Sequence, residues 1–508
     1  MNANAAIYFV DRHVADGRGD KQAFREAAGA KRGQTYAELS DQSARVADAF
    51  LRAGLRREDR VAMLVLDQLE YPALFWGGLK AGVIPVLLNT LLATPVYEVI
   101  LADSRARGLV VSAELLPMVA PLLPDHPHLE NVIVIGDGAP EGSMTYADFM
   151  VDAQPRDPVD VSADECAFWL YSSGSTGAPK GVRHVHSALQ ATADTFGTQV
   201  LGIREDDVVF SAAKIFFAYG LGNALTFPQS VGATTILFNG RPTPDTVTDI
   251  LRDEQPTIFC GVPTLFAALV AYVGDELDGH ALRLCTSAGE ALPAEVANVW
   301  QRATGCETVD GVGSTEMLHI FLSNRPGDVV YGTSGTAVPG YDLRCVGEWG
   351  REIKVGEVGE LLVRGASAAD GYWNQREKSR TTFEGEWIRT GDKYEVREDG
   401  RYVYCGRTDD MFKVSGIWVS PFEVEQAVIE HDAVLEAAVV AHRDGDGLDK
   451  PKAFVVLKDP SRTQEVQDGI AEFVKDKIGK WKYPRWVEIV DDLPKTATGK
   501  IQRFKLRL

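Results

Sequence analysis

The chain has 508 residues, 45% hydrophobic and 24% charged, the balance of an ordinary globular protein and not of a disordered one. Its length exceeds a single small core and predicts about three or more folding units, at ~100–200 residues each. A formal net charge of −20 excludes an extended nucleic-acid surface, which needs clustered Lys and Arg against phosphates.

In chain order, Tyr36 opens a helix whose Val46, Ala47, Phe50 and Leu51 recur at helical spacing before Gly54 ends it. Residues 60–66 read as a buried strand, 69–82 as a helix, 83–88 as the next strand, and 109–111 and 132–135 as two more short strands. A loop rich in glycine and hydroxyl residues follows at 171–181. Beyond it the rhythm resumes, with a helix over 187–200 and strands at 208–210 and 233–238. Three strand-to-loop edges come next, at 257–263, 282–290 and 308–316. Such alternation implies mostly parallel sheets with crossover helices. Ligands of open parallel sheets bind beyond the carboxyl ends of the strands, so these edges predict one shared crevice.

From about Gly332 the pattern turns to short β-rich segments separated by Gly and Pro, a small barrel-like subdomain. The last hundred residues predict a compact α+β unit: helix 422–430, strands 434–441 and 452–457, helix 466–478 and strand 486–490. The expected fold class is therefore α/β. A large N-terminal domain of doubly wound sheets spans 1–407, with its β-rich subdomain at about 332–407, and a small C-terminal domain spans 408–508. The cysteines (Cys166, Cys260, Cys285, Cys306, Cys345, Cys405) form no C-x-x-C pair, so buried free thiols are expected. The sequence shows no leader pattern and no apolar run of membrane-spanning length; a cytoplasmic protein that engages no membrane is expected.

The loop Tyr171-Ser172-Ser173-Gly174-Ser175-Thr176-Gly177-Ala178-Pro179-Lys180-Gly181 carries the chemistry. Glycines let backbone N–H groups approach a ligand, and hydroxyls with an ammonium add donors for phosphate oxygens. It is not the Gly-Lys-Ser/Thr loop of nucleotide hydrolases, because Pro179 precedes Lys180 and Gly181 follows it.

Together with Gly311-Val312-Gly313-Ser314-Thr315-Glu316, Arg389-Thr390-Gly391-Asp392, Gly406-Arg407-Thr408-Asp409-Asp410 and Pro494-Lys495-Thr496-Ala497-Thr498-Gly499-Lys500, this loop resembles the ordered motifs of acyl-adenylate-forming enzymes. Within that superfamily the stretches 214–225, 314–327 and 409–416 are similar to those of benzoate-CoA ligases. The resemblance implies an enzyme that joins an aryl carboxylate to ATP, releases pyrophosphate, and passes the acyl group from AMP to coenzyme A.

It further implies roles for particular residues. Lys500 is the catalytic lysine, and Glu316 holds magnesium, with Thr176 and Thr315 adding hydroxyls. Ser172, Ser173, Gly174, Ser175, Gly177 and Lys180 cradle phosphates. Gly289, Glu290, Asp310 and Gly311 neighbour the base; Asp392 and Arg407 take the ribose. Asp409 is the position about which a mobile small domain swings, and Lys413, Ser415 and Gly416 meet the pantetheine arm. Phe217, Ala218, Tyr219, Cys260, Gly261, Val312, Gly313, His319 and Ile320 surround the substrate ring.

Cys260 and Val312 are smaller than the tyrosine and isoleucine expected in benzoate ligases. If they face the ring the pocket admits a methyl, hydroxyl or amino substituent, and if they face the core nothing changes. His319 either meets a substrate oxygen or is a satisfied core histidine. Rival readings are another carboxylic acid–CoA ligase, an amino-acid adenylation domain, against which Ala218 stands where an aspartate is usual, a luciferase-like oxygenase, and a silent nucleotide-binding module. Lys500 also resembles lysines silenced by an acetyltransferase and restored by a deacetylase. A homodimer is compatible with the sequence, which does not encode oligomeric state legibly.

Overall fold

The structure, a computed structural model, describes residues 2–124, 126–173, 179–347, 350–408, 410–414, 417–445, 448–479, 482–495 and 501–507. The Tyr36–Arg52 helix begins where Thr35 and Glu38 cap each other reciprocally. The Glu38 N–H donates to Thr35 Oγ1 at 3.2 Å and the Thr35 N–H to Glu38 Oε2 at 2.7 Å. Gly54, at φ +84°, turns the chain out of it.

The chain packs as two units, Met1–Asp342 with Arg364–Ile388, and Leu343–Val363 with Arg389–Leu508. The first unit is built on two large sheets. In the eight-stranded sheet, Arg60–Leu64, Ile84–Leu87, Gly108–Ser112, Asn131–Ile135 and Cys166–Ser173 run parallel, and Pro179–Val185 returns antiparallel on Cys166–Ser173. Both ends of the expected loop, Tyr171–Ser173 and Pro179–Gly181, are therefore paired strand residues, with Ser172 opposite Lys180.

In the nine-stranded sheet, Val208–Ser211, Thr234–Leu237, Ile258–Gly261, Leu284–Ala288 and Thr308–Gly313 are parallel. Their register sets Gly261 opposite Ser287 and Ala288 opposite Gly311, so the three expected strand-to-loop edges share one end of the sheet. Side chains alternate across it. Phe210, Phe259 and Cys285 enter a core with Phe266 and Trp300, where Phe259 and Phe266 meet edge-on at 5.5 Å. At the sheet's far side Ile320–Ser323 doubles back on Thr308–Gly313, with a register shift at Val312/Gly313 that re-aims the chain after the strand.

The second unit carries the antiparallel pairing of residues 392–396 with Tyr402–Arg407, in which Asp392 faces Arg407. It also holds a three-stranded sheet of Val434–Arg443, Asp449–Leu457 and Trp486–Ile489, packed with helices Pro421–Ile429 and Thr463–Ile478 around Val424, Val439, Val455 and Ile470. Its buried Glu425 is satisfied by Arg503 at 2.7 Å and by the Val439 N–H at 2.7 Å.

The mixed α/β class is as expected. One expected helix differs in kind: over 187–200, α-helical His186–Thr192 runs into a π-helical turn at Ala193–Val200. There the Thr195 hydroxyl donates to the Ala191 carbonyl at 2.6 Å, taking the acceptor that an α-helix gives the Thr195 N–H. All six cysteines are free thiols. Among the described residues no helix is long and apolar enough to cross a membrane.

Candidate active site

Glu316 lies on a short turn of 3₁₀ helix, Thr315–Met317, capped by the Ser314 hydroxyl, which accepts from the Met317 N–H at 3.2 Å. The turn closes tightly. Leu318 takes φ +64°, and the His319 N–H donates back to the Met317 carbonyl at 2.8 Å. A branched side chain at positive φ costs on the order of 1 kcal/mol or more, and the result is that Glu316 and His319 are both held in the crevice a turn apart.

The Tyr372 hydroxyl donates to Glu316 Oε1 at 2.7 Å, and Lys180 Nζ lies 3.4 Å from the same oxygen and 3.3 Å from the tyrosine oxygen. Burial pushes the Glu316 carboxyl upward, but the Lys180 ammonium and the Tyr372 hydroxyl overcome it, and the net shift is downward. The carboxylate is thus kept ionised, with its side chain 15% exposed.

Asp310, on the preceding strand, has no ion-pair partner among the described residues. Burial pushes its carboxyl up to about 8, against the lowering effect of the Leu292 N–H, the Ser287 hydroxyl and the Gly311 N–H. Its Oδ1 is buried without a hydrogen-bond partner among the described residues. Gly311 beside it is buried, Glu290 and Thr315 are half-buried, and Gly289 is exposed at φ +98°.

The aromatic wall forms where Phe217 precedes the short Ala218–Leu221 helix. Tyr219 donates its hydroxyl to the Thr286 carbonyl at 3.0 Å, and its own carbonyl lies 3.2 Å from His319 Nε2. Because a carbonyl only accepts, this contact assigns the ring proton to Nε2 and leaves Nδ1 as an acceptor, buried and unpartnered among the described residues. Burial lowers the His319 pKa to about 3, so the ring is neutral. Phe196, Tyr219 and Phe227 surround it at 5.2, 5.5 and 4.5 Å between centroids. Gly222 and Gly313 are required here, since a Cβ on either would strike the His319 ring or its carbonyl. Cys260 is fully enclosed beside Tyr219, Ile320 and Gly261 are buried, and Val312 and Gly313 keep exposure at the rim.

In the second unit, Arg407 Nη1 lies 2.8 Å from Asp392 Oδ1 and donates to the Thr390 carbonyl at 2.9 Å. The pair expected at one ribose is thus formed by the strands themselves.

The AMP-binding enzyme family matches residues 11–373, and the AMP-binding enzyme C-terminal domain matches residues 423–500. The chain belongs to the AMP-binding enzyme family. It is 53% identical to the 4-hydroxybenzoate–CoA/benzoate–CoA ligase of Rhodopseudomonas palustris, over 99% of this chain and 94% of that one. Identity to the benzoate–CoA ligase of Thauera aromatica is also 53%, covering 99% and 95% of the two chains. The crystal structure of a benzoate CoA ligase from Burkholderia xenovorans LB400 superposes with a TM-score of 0.91 at 47% identity, covering 100% of both chains.

For this AMP-binding enzyme the structure brings Lys180 to Glu316, Tyr219 to His319 and Asp392 to Arg407. Gly174, Ser175, Thr176, Gly177, Asp409, Ser415, Gly416 and Lys500 lie outside the described residues, as do the side chains of Ser173 and Lys413. Ser172 Oγ is buried without a partner among the described residues.

Two contributing residues have no sequence motif to announce them. Tyr372 reaches the site only because Gly371–Tyr372 pairs with Pro179–Val185. Asp67 is fully buried, its carboxyl pushed up to about 6 by desolvation, and it accepts the Ile215 N–H at 3.3 Å at the start of the loop that carries Phe217. For Asp67 the available signal was a carboxyl directly after the buried apolar run that ends at Leu66, whereas Tyr372, among Asp370, Gly371 and Asn374, had none.

Proposed function

We propose that this chain is an AMP-forming aryl acid–CoA ligase acting on benzoate and ring-substituted benzoates, with ATP, Mg²⁺ and coenzyme A. The observation that carries this reading is the 53% identity, over 99% of the chain, to ligases named for benzoate. The site's chemistry agrees with it. Two anions must meet in the first half-reaction, and ammonium and N–H donors can offset their charge in the transition state.

Glu316 fits a hard cation, because its carboxylate is ionised, partly exposed and already matched by a positive charge in Lys180. Bound Mg²⁺ would be held by Glu316, with the Thr176 hydroxyl nearby, and would neutralise phosphate charge. Lys180 and the loop hydroxyls would bind the phosphates, and Asp392 with Arg407 the ribose. The neutral Asp310 and Glu290 would border the base. Phe217, Tyr219 and neutral His319 offer apolar walls with one acceptor, which suits a benzene ring.

In the first step a substrate carboxylate oxygen attacks the α-phosphorus, and the P–O bond to pyrophosphate breaks. Lys500 would offset the charge between the two anions. In the second step the coenzyme A sulfur, losing its proton, attacks the acyl carbon, and the C–O bond to AMP breaks. A small domain covering 408–508 that swings about Asp409 would remove Lys500 and bring Lys413, Ser415 and Gly416 to the pantetheine arm. Acetylation of Lys500 would cancel its charge and silence the first step. Ala218 offers no carboxylate for a substrate ammonium, which weighs against amino-acid adenylation.

The test is AMP release from ATP and Mg²⁺ with benzoate, its hydroxy, amino and methyl derivatives, short aliphatic acids and amino acids, with and without coenzyme A. Coenzyme A-dependent turnover confined to aromatic acids is expected. Turnover with only aliphatic or amino acids would overturn the aryl assignment and leave the adenylation chemistry standing.

A further inference from the structure

We infer that Tyr372 is the positioning residue that fixes the orientation of Glu316 while the cation facing it changes from the Lys180 ammonium to the divalent metal that accompanies ATP. This rests on the ligase reading above, since it supposes a metal–nucleotide complex at Glu316.

The strap that carries Tyr372 is stapled to both halves of the site. On one side, the Ala369 N–H donates to the Glu316 carbonyl at 2.8 Å and Ser367 Oγ to the Met317 carbonyl at 2.7 Å. On the other, Tyr372 pairs with Val182, and the Trp373 N–H donates to the Gly181 carbonyl at 2.8 Å, next to Lys180. The tyrosine's own N–H donates to Ser379 Oγ at 3.1 Å, and its ring stands edge-on to Phe383 at 5.3 Å with only 5% of the residue exposed. The phenol oxygen is therefore fixed by backbone geometry. Lys180 reaches the same carboxylate oxygen at 3.4 Å and the tyrosine oxygen at 3.3 Å from the end of a flexible stem that rests over the Tyr372 ring at 4.5 Å.

Both partners engage Oε1 of Glu316, so neither occupies Oε2. A neutral hydroxyl does not compete with a metal for the carboxylate's charge, whereas an ammonium does. When a triphosphate draws Lys180 away, the hydroxyl remains and keeps the carboxylate from rotating.

The test compares wild type with Tyr372→Phe, which keeps the ring against Phe383, by calorimetric binding of ATP with and without Mg²⁺ to the full chain. Partners that orient a metal ligand change metal affinity by about 10–100-fold. Metal-free ATP affinity is expected to stay within about 2-fold of wild type, while Mg²⁺-dependent affinity falls about 10-fold and the Mg²⁺ concentration for half-maximal pyrophosphate release rises with it. The aryl acid KM should not move. Equal losses with and without Mg²⁺, or no loss in either, would overturn the assignment.

Should Tyr372→Phe not fold, Ser379→Ala, which removes the bond that seats the tyrosine backbone, carries the test. A selective rise in the Mg²⁺ requirement supports the role, and a change confined to the thermal midpoint overturns it. Wild-type aroyl-CoA formation reports separately: Tyr372-dependent Mg²⁺ binding without aroyl-CoA formation would refute the ligase reading and leave Tyr372's role intact.

Discussion

At the end of the Thr308–Gly313 strand two carboxyl groups are taken out of water, and their surroundings treat the charge in opposite ways. Glu316 meets an ammonium and a hydroxyl and stays ionised, whereas Asp310 meets no ion-pair partner among the described residues and is pushed up to about 8. Burial acts on both, so contact with a countercharge decides the difference. A charged carboxylate suits a metal on phosphates. A neutral carboxyl in the same crevice suits the edge of an uncharged base, to which it can both donate and accept.

Removing the charge from each separates the two most sharply. Glu316→Gln should lower benzoate-dependent pyrophosphate release about 10²–10³-fold, the scale on which one transition-state electrostatic contact acts. Asp310→Asn exchanges one neutral group for another near pH 7 and should stay within about 5-fold, as befits a hydrogen bond worth ~1 kcal/mol. An equal loss in both would break the comparison.

The next effect comes from the countercharge. Lys180→Met should raise the Glu316 pKa, because the attraction that opposed burial is gone. The variant should therefore lose more activity at pH 6 than at pH 8, beyond its uniform loss of phosphate binding. A parallel pH–rate profile would show that Lys180 does not set the charge on Glu316.

Buried histidines extend the same logic to stability. Desolvation lowers His13, His186 and His319 to about 4, about 4 and about 3. Below pH ~6.5 the unfolded chain binds protons that the folded one does not. Stability is then lost as pH falls, by up to ~1.4 kcal/mol per unit for each ring until the folded pKa is reached. Urea midpoints at pH 7.5, 6 and 5 should decline in that order, and a flat profile would contradict the neutral assignments.

The smallest effect concerns the acyl wall. Val312 keeps exposure at the rim and Cys260 is enclosed. Val312→Ile should therefore shift preference among ring-substituted benzoates by about 1 kcal/mol, the worth of a methylene. Relative kcat/KM across the aryl acids measures it.

Much of the frame was legible because the signals are local. Continuous apolar runs pointed to the strands at 60–64, 84–87 and 258–261, and the three glycine-bearing edges, read as bordering one crevice, do lie at one end of a sheet. What escaped was set by contacts distant in sequence or by backbone strain. Tyr372 reaches Glu316 through strand pairing across nearly two hundred residues, between Tyr372 and Val182. The positive φ of Leu318 is invisible in a residue type that usually avoids it. The full enclosure of Cys260 beside Tyr219 is likewise a tertiary contact that no period in the sequence encodes.

The most direct measurement is a rapid-quench experiment with enzyme in excess over benzoate, supplied first with ATP and Mg²⁺ alone and then with coenzyme A. The account expects benzoyl-AMP and pyrophosphate to form in a single turnover without coenzyme A, and the benzoyl-AMP to convert to benzoyl-CoA and AMP once it is added. No benzoyl-AMP before the addition, with no benzoyl-CoA after it, would contradict the account.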